Sequence, residues 1–169
     1  DVKPDNILLR ADGVAKLTDF GLAKDYNDDQ DLTRPAGGLG TPAYMAPEQF
    51  AGAKYVDRRA DVYALAATLY DLLTGRPPFE GKVVLTVLTK KERREFVPPA
   101  ALVPGLSPAV DAAVVAALHP DPNQRPTTCL EFFRRLTTTG PVARPPAAVA
   151  DDRRGAVRYA VRLGSAVRV

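Results

Sequence analysis

The start of the sequence brings together four residues that could form one chemical site. Asp1 and Lys3 offer a carboxylate and an ammonium group, while Asn6 and Asp19 offer amide and carboxylate oxygens. Mg²⁺ binds a few oxygens of this kind and keeps its other positions for water and phosphate. The four residues therefore predict a site at which a metal-bound phosphate meets an acid and a cation.

A β-hairpin is the element that must bring Asn6 and Asp19 together. Asp12-Gly13 is a strong signal for a tight turn, and a short apolar run lies on each side of it. The runs are residues 7–9 and 14–18. If the turn is a regular two-residue loop, Asn6 faces Asp19 at about 5 Å between Cα atoms. The alternative is that both are ordinary turn residues at strand ends.

A helix over residues 61–74 is predicted to form the buried centre of the domain. Apolar residues recur there at helical spacing around most of the circumference, and Gly75 ahead of two prolines supplies a stop. The apolar positions are Val62, Leu65, Ala66, Leu69, Leu72 and Leu73. We expect a helix with so much apolar surface to be enclosed by other elements.

Two further helices are indicated by their first residues. Ser107-Pro108 is an N-cap followed by proline, which opens a helix to about residue 118. Thr128 and Glu131 have the spacing of a capping box, which opens another helix to about residue 136.

The remaining segments divide the chain into a domain, a linker and a tail. Residues 20–60 show no sustained period and are predicted to form a long, mostly irregular loop within a domain that ends near residue 136. Residues 137–152 are rich in Pro, Ala and Arg, as in a linker. Residues 153–169 alternate apolar and polar positions, which indicates the first strand of a second domain or a basic tail.

Charge, hydropathy and cysteine content exclude several classes of protein. Residues 1–136 carry 17 Lys and Arg against 18 Asp and Glu, so the main domain is not expected to bind nucleic acid. No apolar run reaches the ~18 residues of a membrane span, and we expect no membrane segment in this fragment and a cytoplasmic location. The single cysteine, Cys129, rules out an internal disulfide and is expected to be a buried apolar residue on a helix.

Six short motifs in a fixed order resemble those of the eukaryotic-type, or Hanks-type, serine/threonine protein kinases. They are DVKPDN at residues 1–6, DFG at 19–21, GTPAYM at 40–45, APE at 46–48, DVY at 61–63 and DPNQRP at 121–126. The resemblance covers residues 1–136 and implies a mainly α fold with a small β-hairpin, the C-terminal lobe of a protein kinase. It also implies a fragment that lacks the N-terminal lobe and is inactive by itself.

The resemblance implies a role for each candidate residue. The position of Asp1 accepts the proton of the substrate hydroxyl, that of Lys3 neutralises charge on the transferring phosphoryl group, and Thr41 bonds both. Asn6 and Asp19 match the two protein ligands of the Mg²⁺ ions. The implied reaction transfers the γ-phosphate of ATP to Ser or Thr of protein substrates.

Three other matching residues are expected to support the site. Glu48 and Arg125 match a buried ion pair that pins the activation segment to the lower lobe, and Asp61 matches a helix residue that braces the catalytic loop. The usual position for activating phosphorylation is Gly37, so a phosphate switch is not expected there. The alternative reading is a pseudokinase, a binding or scaffold module that keeps the fold without the chemistry.

Two arginines in the last segment suggest a separate ligand. Arg154 and Arg158 precede an alternating run, and this pattern resembles the opening of a PilZ domain, which binds cyclic di-GMP. With such a tail, we expect a kinase of bacterial style. Guanidinium groups suit phosphates and guanine edges. The alternative is a basic, partly disordered tail.

Overall fold

The structure, a computed structural model, describes residues 1–19 and 42–138. Thr41, Arg154 and Arg158 lie outside the described residues, as do the tail and the proposed linker from residue 139 onward, and the hypotheses on them stay predictions. Thr137, the first residue of the proposed linker, still belongs to the last helix. The described residues are mainly helical with one two-stranded antiparallel sheet, which confirms the predicted fold class at this level. None of the helices described is long and apolar enough to cross a membrane.

Eight regular elements follow one another along these residues. The strands are β1 (Ile7–Leu9) and β2 (Ala15–Leu17), and the helices are α1 (Pro47–Ala51), α2 (Arg59–Thr74), α3 (Val84–Arg93), α4 (Pro99–Leu102), α5 (Pro108–Ala117) and α6 (Cys129–Thr137). Short 3₁₀ turns cover Pro4–Asn6, Ala53–Tyr55 and Pro122–Gln124.

The hairpin register differs by one residue from the prediction. Ile7 pairs with Leu17, and the amide nitrogen of Thr18 donates to the carbonyl oxygen of Asn6 at 2.8 Å. Asn6 therefore faces Thr18, and the prediction that it faces Asp19 is wrong. Asp19 is the next residue along the chain.

A three-residue turn causes this change in register. The amide nitrogen of Gly13 donates to the carbonyl oxygen of Arg10 at 2.9 Å. The amide nitrogen of Arg10 donates to the carbonyl oxygen of Val14 at 3.0 Å. Gly13 has φ of 82°, in the left-handed region, so the turn closes with an extra residue as a bulge. The Asp12 carboxylate accepts from the amide of Val14 at 3.1 Å, which stabilises this form.

Helix α2 is the buried centre of the domain, as predicted. Its buried residues are Ala60, Val62, Tyr63, Ala64, Ala66, Ala67, Thr68 and Tyr70. The several alanines let neighbouring elements approach closely, and α4, α5 and α6 all pack against it. Leu72 is 42% exposed, so the helix does leave one side open to solvent. Gly75 ends the helix in the left-handed conformation with φ of 76°.

The predicted caps form at the starts of α5 and α6. The Ser107 hydroxyl accepts from the amide of Ala109 at 3.3 Å, and the Thr128 hydroxyl accepts from that of Glu131 at 3.0 Å. The capping box at α6 is incomplete, because the Glu131 carboxylate bonds the amide and hydroxyl of Thr127 and not the amide of Thr128. The side chain thus reaches one residue further back than predicted.

One expectation about these helices is wrong. Cys129 lies on a helix but is exposed, because it occupies the first position of α6, a helix whose one buried residue is Phe132. The mostly irregular loop expected over residues 20–60 stays a prediction for residues 20–41, which lie outside the described residues. Within residues 42–60, helix α1 begins at Pro47, and the Gln49 side chain accepts from the amide of Ala46 at 2.8 Å. Such a cap supports even a helix of five residues.

A buried ion pair joins α1 to the loop before α6. The Arg125 guanidinium donates to both carboxylate oxygens of Glu48, at 2.7 and 2.8 Å. It also donates to the carbonyl oxygens of His119 at 2.6 Å and Pro120 at 2.8 Å. The Arg125 side chain is fully buried and that of Glu48 is 10% exposed. The segment that carries Glu48 is thereby anchored to the helical core.

We expect Arg125→Ala to lower the free energy of unfolding by about 3 to 5 kcal/mol, because it leaves the Glu48 carboxylate buried without its partner. Urea denaturation of wild type and variant measures the difference. Arg135→Ala is the control, since Arg135 pairs with Glu131 at the surface and such pairs contribute about 0 to 1 kcal/mol. Equal losses in the two variants would contradict a special role for the buried pair.

Acid should weaken the start of α6. Hydrogen bonds from Thr127, and then the charge of Arg135, lower the pKa of Glu131 from 4.5 to about 2. Because the folded pKa is depressed, this stabilisation is present above the ordinary pKa and is lost as pH falls from 4.5 toward 2. We expect Glu131→Gln to flatten the fall in melting temperature over that range. Glu92→Gln, at an exposed position of α3, should leave the slope as in wild type.

Candidate active site

Asp1, Lys3 and Asn6 form one cluster ahead of the hairpin. The Lys3 ammonium lies 3.1 Å from the Asp1 carboxylate. The Asn6 side-chain nitrogen donates to the carbonyl oxygen of Asp1 at 2.8 Å and lies 3.5 Å from its carboxylate. The 3₁₀ turn over Pro4–Asn6 brings Asn6 back toward Asp1, and the amide of Asn6 donates to the carbonyl of Lys3 at 3.0 Å. An ammonium and an amide thus lie within ion-pair or hydrogen-bond distance of the Asp1 carboxylate, ahead of β1.

Hydrogen bonds hold the backbone and the side-chain nitrogen of Asn6, while its side-chain oxygen Oδ1 accepts none from the described residues. The residue is 4% exposed, and its carbonyl oxygen accepts from both the amide and the hydroxyl of Thr18, at 2.8 and 3.2 Å. Its side-chain nitrogen is taken up by Asp1. Among the described residues nothing donates to its Oδ1, which leaves this oxygen suited to a metal ligand.

Asp19 follows immediately, with an exposed side chain and a backbone φ of 55°. The left-handed region is unfavourable for most residues and is tolerated best by Gly, Asn and Asp. Conformations of this kind collect at functional sites. The Asp19 carboxylate therefore stands at the end of β2, one residue beyond the pairing of Asn6 with Thr18.

The two candidate ligand oxygens, from Asn6 and Asp19, fit Mg²⁺ better than a metal ion whose ligands all come from the protein. Within residues 1–19 and 42–138 no three His, Cys, Asp or Glu side chains group as a metal cage. One carboxylate oxygen from Asp19 and one amide oxygen from Asn6 are few ligands, as Mg²⁺ prefers when phosphate and water fill its octahedral shell. The arrangement thus suits a metal that arrives together with a phosphate ligand.

Helix α2 braces the cluster through a residue that sequence analysis missed. The Thr68 hydroxyl donates to the carbonyl oxygen of Val2 at 3.2 Å. Asp61, the predicted brace, lies on the same helix and lines a small pocket with Asp1 and Val2, but its carboxylate is exposed and makes no hydrogen bond within the described residues. A buried threonine hydroxyl needs a hydrogen-bond partner. The position of Thr68 on the buried face of the helix was therefore the sequence signal for a contact of this kind.

The other wall of this pocket comes from the segment before α1. The pocket is lined by Asp1, Val2, Tyr44, Met45, Gln49, Ala60, Asp61 and Ala64. The Tyr44 hydroxyl donates to the Asp71 carboxylate at 2.6 Å, which ties this wall to α2. Burial, and then the bond to Asp71, raise the pKa of Tyr44, so the phenol stays protonated as the donor. Tyr44 belongs to the motif at residues 40–45, but the motif by itself did not indicate this bond.

Comparisons with known proteins agree with this arrangement. The family model described as protein kinase domain matches residues 1–137. Serine/threonine-protein kinase PknB of Mycobacterium tuberculosis (strain H37Rv) is 41% identical over 133 residues, which cover 78% of this chain and 21% of the relative. The same-named protein of Mycobacterium leprae is 40% identical over 132 residues, with the same coverage of the two chains.

A relative from another genus gives a similar match. The probable serine/threonine-protein kinase PknB of Bifidobacterium longum is 38% identical over 139 residues, which cover 82% of this chain and 20% of that protein. The chain therefore spans about a fifth of the length of the curated relatives it matches. Because the family model matches 137 of 169 residues, including Asp1, Asn6 and Asp19, the chain belongs to the protein kinase domain family.

Proposed function

We propose that the full-length protein is a serine/threonine protein kinase that uses ATP and Mg²⁺. The observation that carries the proposal is the cluster at the start of the chain, in which a carboxylate and an ammonium lie 3.1 Å apart and Asn6 bonds the same Asp1. Its relatives bear the name serine/threonine-protein kinase, which supports the choice of acceptor.

In this mechanism the protein positions charges and makes no covalent intermediate. Asp1 orients the acceptor hydroxyl and accepts its proton, while Lys3 offsets the negative charge that spreads over the transferring phosphoryl group. Asn6 Oδ1 and the Asp19 carboxylate would hold Mg²⁺, which neutralises charge on the ATP phosphates when bound. Thr41 is proposed to bond Asp1 and Lys3.

The pocket between the cluster and the 42–46 segment is proposed to receive the protein substrate. It opens beside Asp1, and its far wall contains Tyr44 and Met45. The bond of Tyr44 to Asp71 and the ion pair of Glu48 with Arg125 stabilise this wall from two sides. An acceptor side chain in the pocket would lie next to the carboxylate that takes its proton.

The presence of the four catalytic residue types that residues 1–19 can supply favours an enzyme over a pseudokinase. Asp1, Lys3, Asn6 and Asp19 are all retained, and three of them form hydrogen bonds or ion pairs with one another. Asn6 suits a catalytic role, because its amide nitrogen holds the loop while its Oδ1 has no donor among the described residues. We therefore propose catalysis as the function of this site.

Asp1→Asn and Asp19→Asn are expected to lower kcat of the full-length protein by at least about a hundredfold, the lower range for loss of a positioned base. The first change removes the proton acceptor and the second an anionic metal ligand. Phosphate transfer from ATP to Ser and Thr peptides measures the effect, with Mg²⁺ in excess.

Asp12→Asn serves as the matched control for both variants. Asp12 lies in the hairpin turn, and asparagine can accept the same bond from the amide of Val14. Its turnover should equal that of wild type. Turnover near the wild-type value in Asp1→Asn would show that Asp1 is not the proton acceptor.

A further inference from the structure

Lys91 is a lysine with no exposed surface and, among the described residues, no acidic partner. Its side chain is fully buried on α3, where it follows Val84 and Val87 on the same helix face. In the described part of the chain no carboxylate lies within ion-pair distance of its ammonium. Burial of an unpaired charge is strongly unfavourable, so other groups must compensate for the lost hydration.

Two carbonyl oxygens of the pocket wall supply this compensation. The Lys91 ammonium donates to Met45 at 2.6 Å and to Ala43 at 2.9 Å. These acceptors are two residues apart, and the residue between them is Tyr44, whose side chain bonds Asp71 on α2. The ammonium therefore holds the backbone of the segment whose residues Tyr44 and Met45 line the pocket next to Asp1.

Aromatic rings complete the environment of the ammonium. It lies 4.9 Å from the ring centre of Tyr63 and 5.4 Å from that of Phe79, distances at which a ring face attracts a cation. The Tyr63 ring also receives the Arg125 guanidinium at 4.8 Å, and its buried hydroxyl has no partner among the described residues. One ring thus connects Lys91 with the ion pair of Arg125 and Glu48.

Burial, and then the nearby Arg125 charge, lower the pKa of Lys91 well below its ordinary value. Either protonation state keeps hydrogens for the two carbonyl oxygens. The contact with the segment therefore does not require the full charge.

We propose that Lys91 is a positioning residue for the protein substrate, because it fixes the 43–45 backbone in the form that lines the acceptor pocket. The inference rests on the proposed kinase function. Lys91 contacts none of Asp1, Asn6 and Asp19, so its loss should affect docking of the protein substrate and leave the ATP and metal site unchanged.

Lys90 offers a matched control one residue away. Its ammonium donates to the carbonyl oxygen of Glu80 at 2.8 Å, so it also bonds a backbone carbonyl from the same helix. Its side chain makes no hydrogen bond to the 43–45 segment. A change at Lys90 removes a charge and a hydrogen bond of the same kind without disturbing the pocket wall.

The test compares Lys91→Met and Lys90→Met in the full-length protein, with KM measured separately for a Ser/Thr peptide and for ATP. Methionine keeps much of the length of lysine and suits a buried site. We expect KM for the peptide to rise at least tenfold in Lys91→Met, with KM for ATP within twofold of wild type. Lys90→Met should match wild type in both constants. Hydrogen exchange should be faster in the 42–46 segment of Lys91→Met.

Each outcome bears on one of the two proposals. A wild-type protein that transfers no phosphate to Ser or Thr would overturn the proposed function itself. An active wild type with an unchanged peptide KM in folded Lys91→Met, or with peptide and ATP constants raised equally, would overturn the role of Lys91. If Lys91→Met does not fold, Lys91→Arg applies the same test, with an expected rise of at least threefold in the peptide KM alone.

Discussion

The buried guanidinium of Arg125 forms hydrogen bonds that hold three separate parts of the domain together. It bonds both oxygens of Glu48 and the carbonyl oxygens of His119, Pro120 and Arg59. These partners come from α1, the segment after α5 and the start of α2. A guanidinium has five donors in a rigid plane, so it can be buried only where acceptors surround it. The elements that supply those acceptors are thereby fixed relative to one another.

Helix α2 connects these anchored elements to both sides of the candidate site. Thr68 bonds the loop that carries Asp1, and Asp71 bonds Tyr44 in the opposite wall of the pocket. Both bonds come from the same rigid helix, one turn apart, so the distance between the catalytic cluster and the pocket wall follows from the spacing of α2. A site assembled from two separate segments of chain can be held in this way without direct contact between them.

Buried polar groups support the 42–46 segment from behind. Two basic side chains approach the ring of Tyr63, that of Arg125 at 4.8 Å and that of Lys91 at 4.9 Å from the ring centre. Since protein interiors strengthen electrostatic interactions and penalise unpaired groups, such a network favours one arrangement of its members over alternatives. The segment that would meet a substrate is thus held by polar contacts in the core.

Local interactions explain what the sequence by itself determined. Gly75, Ser107 and Thr128 end or begin their helices through bonds to neighbours within a few residues, and each was readable from the chain alone. The motif residues Asp1, Lys3 and Asn6 lie so close in sequence that the cluster was also predictable.

Tertiary structure decided the rest, because the deciding contacts are distant in sequence or depend on one backbone angle. The left-handed φ of Gly13 set the hairpin register and placed Thr18, not Asp19, opposite Asn6. The burial of Lys91 depends on carbonyl oxygens more than forty residues earlier in the chain, at Ala43 and Met45. Its position on the face of Val84 and Val87 hinted at burial, but only the packed fold supplies the acceptors that make a buried lysine stable.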